Sequence, residues 1–532
     1  MNINGISIPW TTIADLLRDK ELKHGERLFG EIAGTALSYA ELAQRSRTVA
    51  ANLISRGYVV GDRIASFTHN SVEQIVLWFG CCQAGMIWVP INSGLVGDDL
   101  RYILSNSGAR ALLFDEEGAP KIDRMRAQLA DIDLFTTCDH PDTEPFSALL
   151  KKPEVNASLP ATAPADTGAI LYTGGTTGLP KGVVLPQLSF ILSGIRYGEV
   201  FDARAGERHF STMPLYHAGG LQWGIMGPLV NDMTTVIDRR FSVTRYFDRV
   251  RETKANIIDP FGAVVTMLCN QPESAHDRDH AVRIAVGAVQ GLPPHIPETF
   301  TRRFNIPLVN LYGLTEGGGA MLTSNREQTL DSNGKPYGWV EIRIAGEDDM
   351  PLPIGEVGEV LLRPSFPNMF MTGYFNDQAA SLKSLRDCWL HTGDLGRLDA
   401  DGNLYFLGRR AHWIRRRGES ISAAEIEAIL TKHPIVEEIA VVGVPSEIGE
   451  EDIKAFVIAK PGVQPDAIAL CAWALERMAA FKVPRYVEFV DDFPRSAAKR
   501  EIQRSLLKAL PHDNAYDREP GGRRPTTMAK VG

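Results

Sequence analysis

The sequence predicts an α/β fold in which a large N-terminal domain, built of subdivided βα-layered sheets, precedes a small α+β C-terminal domain. Three observations lead to this prediction: a length of 532 residues, alternating strand and helix periodicity through the first part of the chain, and a change of pattern near residue 410. A single hydrophobic core stops growing at about 250–300 residues. A chain of this length therefore divides into at least two domains.

Short apolar runs alternate with amphipathic stretches between residues 40 and 115. The runs RIASF, MIWVP and RALLF have the character of strands, whereas SVEQIVLWFGCCQAG and DDLRYILSNSGA have that of helices. The alternation resumes after residue 166 with GAILY, then LSFILSGI, and later VRIAV and PLVNL. Strand and helix periods that take turns in this way predict βα units around a largely parallel sheet.

The pattern after residue 410 predicts a compact α+β module. AAEIEAILTKHP and DAIALCAWALERM have helical character, whereas EEIAVVGVP and DIKAFVIAK have that of strands. We therefore expect an N-terminal domain over 1–408 and a C-terminal domain over 409–512. Residues 142–165 have the composition of a connecting segment. Residues 513–532 are polar and rich in Gly and Pro, which predicts a disordered tail.

Composition excludes several classes of protein. The formal charge of −9 argues against a nucleic-acid-binding surface. The six cysteines form no Cys-x-x-Cys pair, so reduced thiols in a cytoplasmic protein are expected. The N-terminus lacks the basic and apolar regions of a signal peptide, and no apolar run is long enough to span a bilayer.

The most informative segment is 172–182, Tyr-Thr-Gly-Gly-Thr-Thr-Gly-Leu-Pro-Lys-Gly, directly after the strand-like GAIL. A loop with this many glycines and hydroxyls exposes backbone N–H groups that wrap phosphate oxygens. No Ser or Thr follows the lysine, so the segment is not a P-loop. The predicted phosphate contacts are Thr173, Gly174, Gly175, Thr176, Thr177, Gly178 and Lys181.

This segment resembles the phosphate loop of the adenylate-forming superfamily, which includes acyl-CoA synthetases, peptide-synthetase adenylation domains and luciferases. That family usually has Ser where this chain has Gly174. A solvent loop of small residues is the alternative, and the length of the match, which extends over eleven residues, disfavours it. Further segments resemble the family in its order: PLYHAGG, NLYGLTEGG, HTGDLGRLD and YFLGRRAHWIRRRGESISAAEIE. The run IRRRGE at 414–419 is most similar to crotonobetaine/carnitine-CoA ligases.

The resemblance implies a role for each nucleotide-binding residue. Tyr312 would stack on adenine, Thr315 would contact the α-phosphate, and Glu316 would help to hold Mg²⁺. Asp394 and Arg409 would bind the ribose hydroxyls.

The resemblance also implies the reaction. A carboxylic acid would attack the α-phosphorus of ATP, and the acyl-adenylate would then be transferred to the thiol of coenzyme A. His217 would flank the acyl pocket, and the loop at Gly418 would line the pantetheine tunnel. The C-terminal domain would be mobile and would swing between the two half-reactions. A homodimer is compatible with this expectation.

Two positions depart from the family pattern. The family has a catalytic lysine in a Pro-Arg-Thr-x-x-Gly-Lys-Ile segment, where this chain reads PRSAAKREIQRSLLK. We expect Lys499 or Arg500 to take the place of that lysine, although arginine differs from lysine in reach and geometry. The second departure is Ala411, at a hinge position where the family commonly has Asp or Lys.

The acyl pocket is predicted to be apolar and small. Its lining would come from the region of Trp223, from 257–265, from 286–292 and from the residues after Glu316. No cation is placed to meet a second carboxylate, so an apolar acid is the expected substrate. Two alternatives stay open: an enzyme that loads a carrier-protein thiol, and an ATP-binding homologue with impaired turnover. Nothing in the sequence supports a luciferase.

Overall fold

The chain divides into two compact units. Unit 1 comprises residues 1–392 and 397–406, and unit 2 comprises residues 393–396 and 407–532. The computed structural model describes all residues except 1, 4–5, 154–157, 174–178, 288–291, 293–294, 319–322, 325–331, 337, 410–412, 417–418, 447–450, 479, 481, 496–501 and 520–532.

An eight-stranded sheet in unit 1 carries the strands before and after the Gly-rich segment. The five strand pairings from Thr167–Thr173 to the edge at Glu144–Pro145 are parallel. This confirms the predicted parallel sheet. In spatial order the strands are Gly373–Tyr374, Lys181–Pro186, Thr167–Thr173, Ile87–Pro90, Arg63–Phe67, Ala111–Phe114, Asp133–Thr136 and Glu144–Pro145.

A second sheet in unit 1 has seven strands, all paired in parallel except the antiparallel hairpin at one edge. Parallel sheets are covered by helices on their faces, which explains the apolar character of these strands. In spatial order the strands are Leu308–Val309, Ile284–Val286, Ile257–Ile258, Arg208–Ser211, Thr234–Ile237, Leu28–Ile32 and Thr35–Ser38.

Helices of unit 1 pack on these sheets through several buried clusters, the largest of which contains Trp78. Trp78 stacks on Trp88 with ring centroids 5.4 Å apart, and its indole N–H donates to the Gly168 carbonyl. Among the described residues, no helix is both long and apolar enough to cross a membrane. The α-helices of unit 1 are Ile13–His24, Tyr39–Ser55, Val72–Gln83, Gly97–Ser107, Ala119–Asp123, Gln187–Phe201, Gly227–Val230, Tyr246–Thr253, Ala263–Cys269, His295–Phe304 and Gln378–Ser384.

The structure also contains smaller sheets. A five-stranded sheet contains Val340–Ala345, Gly358–Pro364, Leu385–Arg386, Trp389–Leu398 and Leu404–Arg409. A three-stranded sheet contains Leu311–Tyr312, Thr323–Ser324 and Lys335–Pro336, and a hairpin joins Asn2–Ile3 to Ile6–Ser7.

Unit 2 contains the predicted α+β module with its own buried cluster. The predicted strands EEIAVVGVP and DIKAFVIAK form its longest antiparallel pair. Its strands are Trp413–Arg416, Glu419–Ser422, Val436–Pro445, Glu451–Ala459, Tyr486–Phe489 and Tyr516–Asp517, and its helices are Ala423–Leu430, Ala467–Leu475 and Arg504–Lys508.

Two expectations about irregular segments are wrong in part. In the predicted connecting segment, Phe146 and Leu149 are buried in the main cluster of unit 1. In the predicted disordered tail, the strand Tyr516–Asp517 pairs with Tyr486–Phe489. The composition after residue 513 is polar because acidic side chains in this segment pair with buried arginines of unit 2. The composition alone therefore does not predict the strand.

Those arginines belong to a buried charge cluster in unit 2. Asp452 accepts from Arg416 Nε at 2.9 Å and from Arg485 Nη1 at 2.8 Å. Arg416 is 1% exposed and also donates to Glu519, while Arg485 donates to Asp517. Burial raises the pKa of Asp452, but the two guanidinium groups outweigh this effect and hold it below its ordinary value.

We expect Asp452→Asn to destabilise unit 2 by ~3 kcal/mol, because it leaves two buried guanidinium groups short of a counter-charge. Since the pKa of Asp452 is lowered by folding, its stabilisation is present at neutral pH and is lost as the pH falls through the folded-state pKa. Hydrogen exchange of the unit 2 strands, measured from pH 7 downward, tests both points. Asp492→Asn, at a carboxylate 80% exposed, is the control and should leave exchange unchanged. Equal protection in Asp452→Asn and wild type would contradict the prediction.

Candidate active site

The Gly-rich segment joins two paired antiparallel strands. Thr173 lies opposite Lys181 in the register, and its hydroxyl donates to the Lys181 carbonyl at 3.5 Å. Gly182 is required on this hairpin, since a Cβ there would lie 2.8 Å from the Ile170 side chain. Five of the predicted phosphate contacts lie outside the described residues: Gly174, Gly175, Thr176, Thr177 and Gly178.

Tyr374 connects this hairpin to the predicted metal ligand. Its strand pairs with Lys181–Pro186, which places the Lys181 ammonium 5.1 Å from the Tyr374 ring centroid. The Tyr374 hydroxyl donates to Glu316 Oε1 at 3.0 Å. The Lys181 ammonium, the Tyr374 phenol and the Glu316 carboxylate therefore lie in a row in space, beside the end of the Gly-rich segment.

The turn that carries Thr315 and Glu316 is a single 3₁₀ turn, Thr315–Gly317, held on two sides. The Met371 N–H donates to the Glu316 carbonyl at 2.9 Å, and Gln222 Nε2 donates to the Gly318 carbonyl at 2.7 Å. Gly318 has φ +71°, and a Cβ there would lie 2.2 Å from the Met369 carbonyl. Only glycine fits this position, so the backbone of the turn is fixed. The side chains of Thr315 and Glu316 are half-buried.

Tyr312, the predicted adenine partner, is 3% exposed and packs beside Phe406 with ring centroids 5.7 Å apart. Two residues separate Tyr312 from the Thr315–Gly317 turn, so the aromatic ring and the acid lie on one continuous segment.

The predicted ribose ligands meet within unit 2. Arg409 Nε lies 2.7 Å from Asp394 Oδ1, and the Asp394 side chain is 3% exposed whereas that of Arg409 is 45% exposed. The arginine fixes the orientation of the buried carboxylate, whose oxygens accept hydrogen bonds. Binding of the two ribose hydroxyls requires an acceptor that is oriented in this way.

His217 lies in the loop before the π-helix Gly220–Met226, with its ring 4.6 Å from that of Tyr216. That helix carries the fully buried Trp223, which belongs to one apolar cluster with Ile257 and Val286. The structure thus brings together three of the four regions that the sequence predicts as the lining of the acyl pocket; residues 319–322, in the fourth region, lie outside the described residues. Gln222 of the same π-helix bonds to Gly318, so this region is tied to the turn of Glu316.

The remaining predicted residues lie outside the described part of the chain: Gly418, Lys499, Arg500 and the hinge residue Ala411. The residues on either side of 496–501 are described, and Arg495 and Ile502 pair with each other. Arg504 Nη2 donates to both carboxylate oxygens of Glu427, at 2.7 and 2.9 Å.

Tyr374 is a functional candidate that the sequence does not reveal. It lies in the stretch NMFMTGYFND, which matches none of the motifs used above. Its position follows from the pairing of its strand with Lys181–Pro186, some 190 residues earlier in the chain. No rule of sequence spacing predicts a pairing over that distance.

Comparisons with known proteins show which families and folds this chain is similar to. Residues 19–375 match the model of the AMP-binding enzyme family, and residues 425–500 match that of the AMP-binding enzyme C-terminal domain. The chain is 30% identical to the crotonobetaine/carnitine–CoA ligase of Salmonella arizonae over 511 residues, 93% of this chain and 98% of that relative. The ligase of the same name from Escherichia coli O157:H7 is 31% identical over 507 residues, with the same coverage.

Solved structures show the same fold. ATP-bound MatB from Rhodopseudomonas palustris superposes with a TM-score of 0.83 at 26% identity, over 94% of this chain and 98% of that one. A benzoate CoA ligase from Burkholderia xenovorans gives a TM-score of 0.81 at 27% identity, over 93% and 99% of the two chains.

We expect Tyr374→Phe to weaken the binding of Mg·ATP about tenfold, ~1.4 kcal/mol, because Glu316 loses the donor that orients its carboxylate. The ring under Lys181 is retained, so the effect reports the hydroxyl alone. Titration calorimetry measures the affinity. Tyr405→Phe, which removes a hydroxyl from the carboxylate of Asp399, is the control. An affinity equal to that of wild type would show that the hydroxyl does not support the nucleotide site.

Proposed function

This chain belongs to the AMP-binding enzyme family, and from that premise we propose that the residues around Lys181 and Glu316 hold Mg·ATP for the adenylation of an apolar carboxylic acid. The enzyme is an AMP-forming acyl-CoA ligase that uses ATP, Mg²⁺ and coenzyme A. The observation that carries the proposal is the contact of Tyr374 with both Lys181 and Glu316.

The first half-reaction joins two anions. A carboxylate oxygen attacks the α-phosphorus, the bond from that phosphorus to the bridging oxygen breaks, and pyrophosphate leaves with the electron pair. The substrate is already ionised, so no strong general base is needed, and catalysis depends on positioning and fixed charge. Lys181 supplies one positive charge at the end of the phosphate loop, and Thr315 a hydroxyl for the α-phosphate.

The half-buried carboxylate of Glu316 fits a magnesium ion. Mg²⁺ takes oxygen ligands and is held through one or two carboxylates together with substrate phosphates. Tyr374 occupies one oxygen of Glu316 and thereby limits the directions in which the carboxylate can turn. Bound there, Mg²⁺ would neutralise charge on the phosphates during the displacement.

In the second half-reaction the thiol sulfur attacks the acyl carbon, AMP leaves with the electron pair, and the thiol proton passes to solvent. We propose that residues 409–512 present Gly418 and the 494–508 segment in turn, while residues 1–408 hold nucleotide and acid. The separate family matches at 19–375 and 425–500 support this division. The six free cysteines support a reducing, cytoplasmic setting, and a homodimer is compatible with it.

The apolar cluster at Trp223 supports an aromatic or compact aliphatic acid. Trp223 lies with its ring 4.7 Å from that of Phe261, next to Ile257 and Val286. The relatives named above suggest a second class, acids with a quaternary ammonium group, which aromatic faces also bind. A CoA-ligation screen over aromatic, branched, linear and quaternary-ammonium acids decides between the two classes.

The function is tested by acid-dependent exchange of labelled pyrophosphate into ATP, followed by thioester formation with CoA as the sole thiol. We expect both activities in wild type and a loss of 10²- to 10³-fold, roughly, in the exchange rate of Glu316→Ala, because the phosphates lose their metal anchor. Glu356→Ala, at an exposed carboxylate, is the control. Exchange without CoA thioester would favour a carrier protein as acceptor, and no exchange with any acid would indicate a homologue without turnover.

Lys499→Ala and Arg500→Ala should separate the two candidates for the family's lysine. We expect one of them to slow adenylation by about 10²-fold, ~2.7 kcal/mol, and to leave thioester formation from a synthetic acyl-adenylate unchanged. Single-turnover assays of the two half-reactions give these rates. Lys432→Ala, at an exposed lysine of unit 2, is the control. Wild-type adenylation in both variants would show that the 494–508 segment does not supply the missing charge.

A further inference from the structure

Three ionisable side chains meet in unit 1 at a place that the proposed reaction does not use. Glu359 lies on the strand Gly358–Pro364 and His391 on the strand Trp389–Leu398. Asp349 lies in the turn after Val340–Ala345, with a backbone φ of +62°. The antiparallel hairpin that carries Asp349 and Glu359 thus meets His391, which lies some 30 residues later on a neighbouring strand of the same sheet.

The spacing of the three groups is too wide for hydrogen bonds. His391 Nδ1 lies 3.6 Å from Glu359 Oε2 and 3.8 Å from Asp349 Oδ1. Both distances exceed the 2.7–3.2 Å of an N–H···O bond. One ligand atom from each residue lies within 4.8 Å of the other two.

His391 provides an independent sign that the cluster has a missing partner. Its side chain is 4% exposed, and its Nδ1 has no hydrogen-bond partner. A buried ring nitrogen that is neither solvated nor bonded is costly, on the order of 1–3 kcal/mol. This nitrogen faces the two carboxylates, and a ligand between the three atoms would satisfy it.

We propose that His391, Glu359 and Asp349 bind a divalent transition-metal ion, with Zn²⁺ the first candidate. Ligand atoms about 2.1 Å from a tetrahedral zinc ion lie about 3.4 Å from one another, so the two distances from His391 Nδ1 need to contract by only a few tenths of an ångström. One imidazole with two carboxylates suits zinc and its first-row neighbours, whereas Mg²⁺ prefers oxygen ligands alone. The fourth position is left for water.

Arg386 supports the geometry of this site. Its guanidinium donates to both oxygens of Asp349 at 3.0–3.1 Å, which orients the carboxylate. Ligating carboxylates are themselves commonly hydrogen-bonded by a second group in this way. The charge of Arg386 also offsets one of the two carboxylate charges, so the cluster carries a net charge of −1 before a divalent ion binds and +1 afterwards.

The ion would connect three segments close to a predicted nucleotide ligand. His391 precedes Asp394 by three residues on the same strand. A metal at His391 would therefore hold the first part of this strand to Glu359 and Asp349 within unit 1. The site is separate from Glu316 and needs no nucleotide.

The test is metal uptake by the full chain, produced without a polyhistidine tag, treated with chelator and then exposed to Zn²⁺ or Co²⁺ without ATP. Mass spectrometry of the equilibrated protein should find one equivalent of tightly bound metal, and Co²⁺ should give the visible bands of a low-coordinate site. Glu359→Gln and His391→Asn should lose that equivalent. The rise in thermal midpoint caused by Zn²⁺ should disappear with it.

Two variants control for adventitious binding. His276→Asn alters a histidine 70% exposed and 3.8 Å from the single carboxylate of Asp279, and Cys388→Ser removes the exposed thiol nearest His391 in sequence. Both should keep the full equivalent. Asp349→Asn, at a side chain 31% exposed, serves if the buried variants fail to fold. Wild type without stoichiometric metal, or metal retained by folded Asp349→Asn and Glu359→Gln, would overturn the proposal.

Discussion

The candidate site in unit 1 depends on one short edge strand that brings the Glu316 carboxylate beside Lys181, at the end of the Gly-rich segment. The pairing of Gly373–Tyr374 with Lys181–Pro186 places the Tyr374 hydroxyl on Glu316 and the Tyr374 ring under Lys181. A reaction between a carboxylate and a polyphosphate is limited by repulsion, so cationic groups must be fixed in place before the substrates arrive. The glycine at 318 and the bond from Met371 to Glu316 serve this end because they fix the backbone that carries the acid.

Unit 2 is organised around a different electrostatic constraint. Asp452 neutralises Arg416 and Arg485 inside a small α+β core, and acidic side chains from residues 517 and 519 complete the cluster. Buried charges are tolerated only where each has partners. Arg416 belongs to the run 414–419, whose sequence is most similar to crotonobetaine/carnitine-CoA ligases, and its guanidinium is one of the groups that hold the unit together.

The comparison of prediction with structure separates local signals from distant ones. The parallel sheets and the C-terminal module are confirmed, because strand and helix periodicity are properties of neighbouring residues. The tail after residue 513 is wrong in part, because the pairing of Tyr516–Asp517 depends on arginines remote in sequence. The roles assigned to Thr173, Thr315, Tyr312, His217, Asp394 and Arg409 stay predictions, as do those of Lys499 and Arg500.

The sequence alone determined the order of elements, the family and the chemistry of the nucleotide site, since glycine-rich loops and their flanking acids are contiguous motifs. Only the tertiary structure decided which side chains meet. Tyr374 reaches Glu316 through strand pairing, Gln222 reaches Gly318 through a π-helix, and His391 meets Asp349 and Glu359 of a neighbouring hairpin. Such contacts depend on the path of the chain in space, and the sequence contains no spacing between these residues that would predict them.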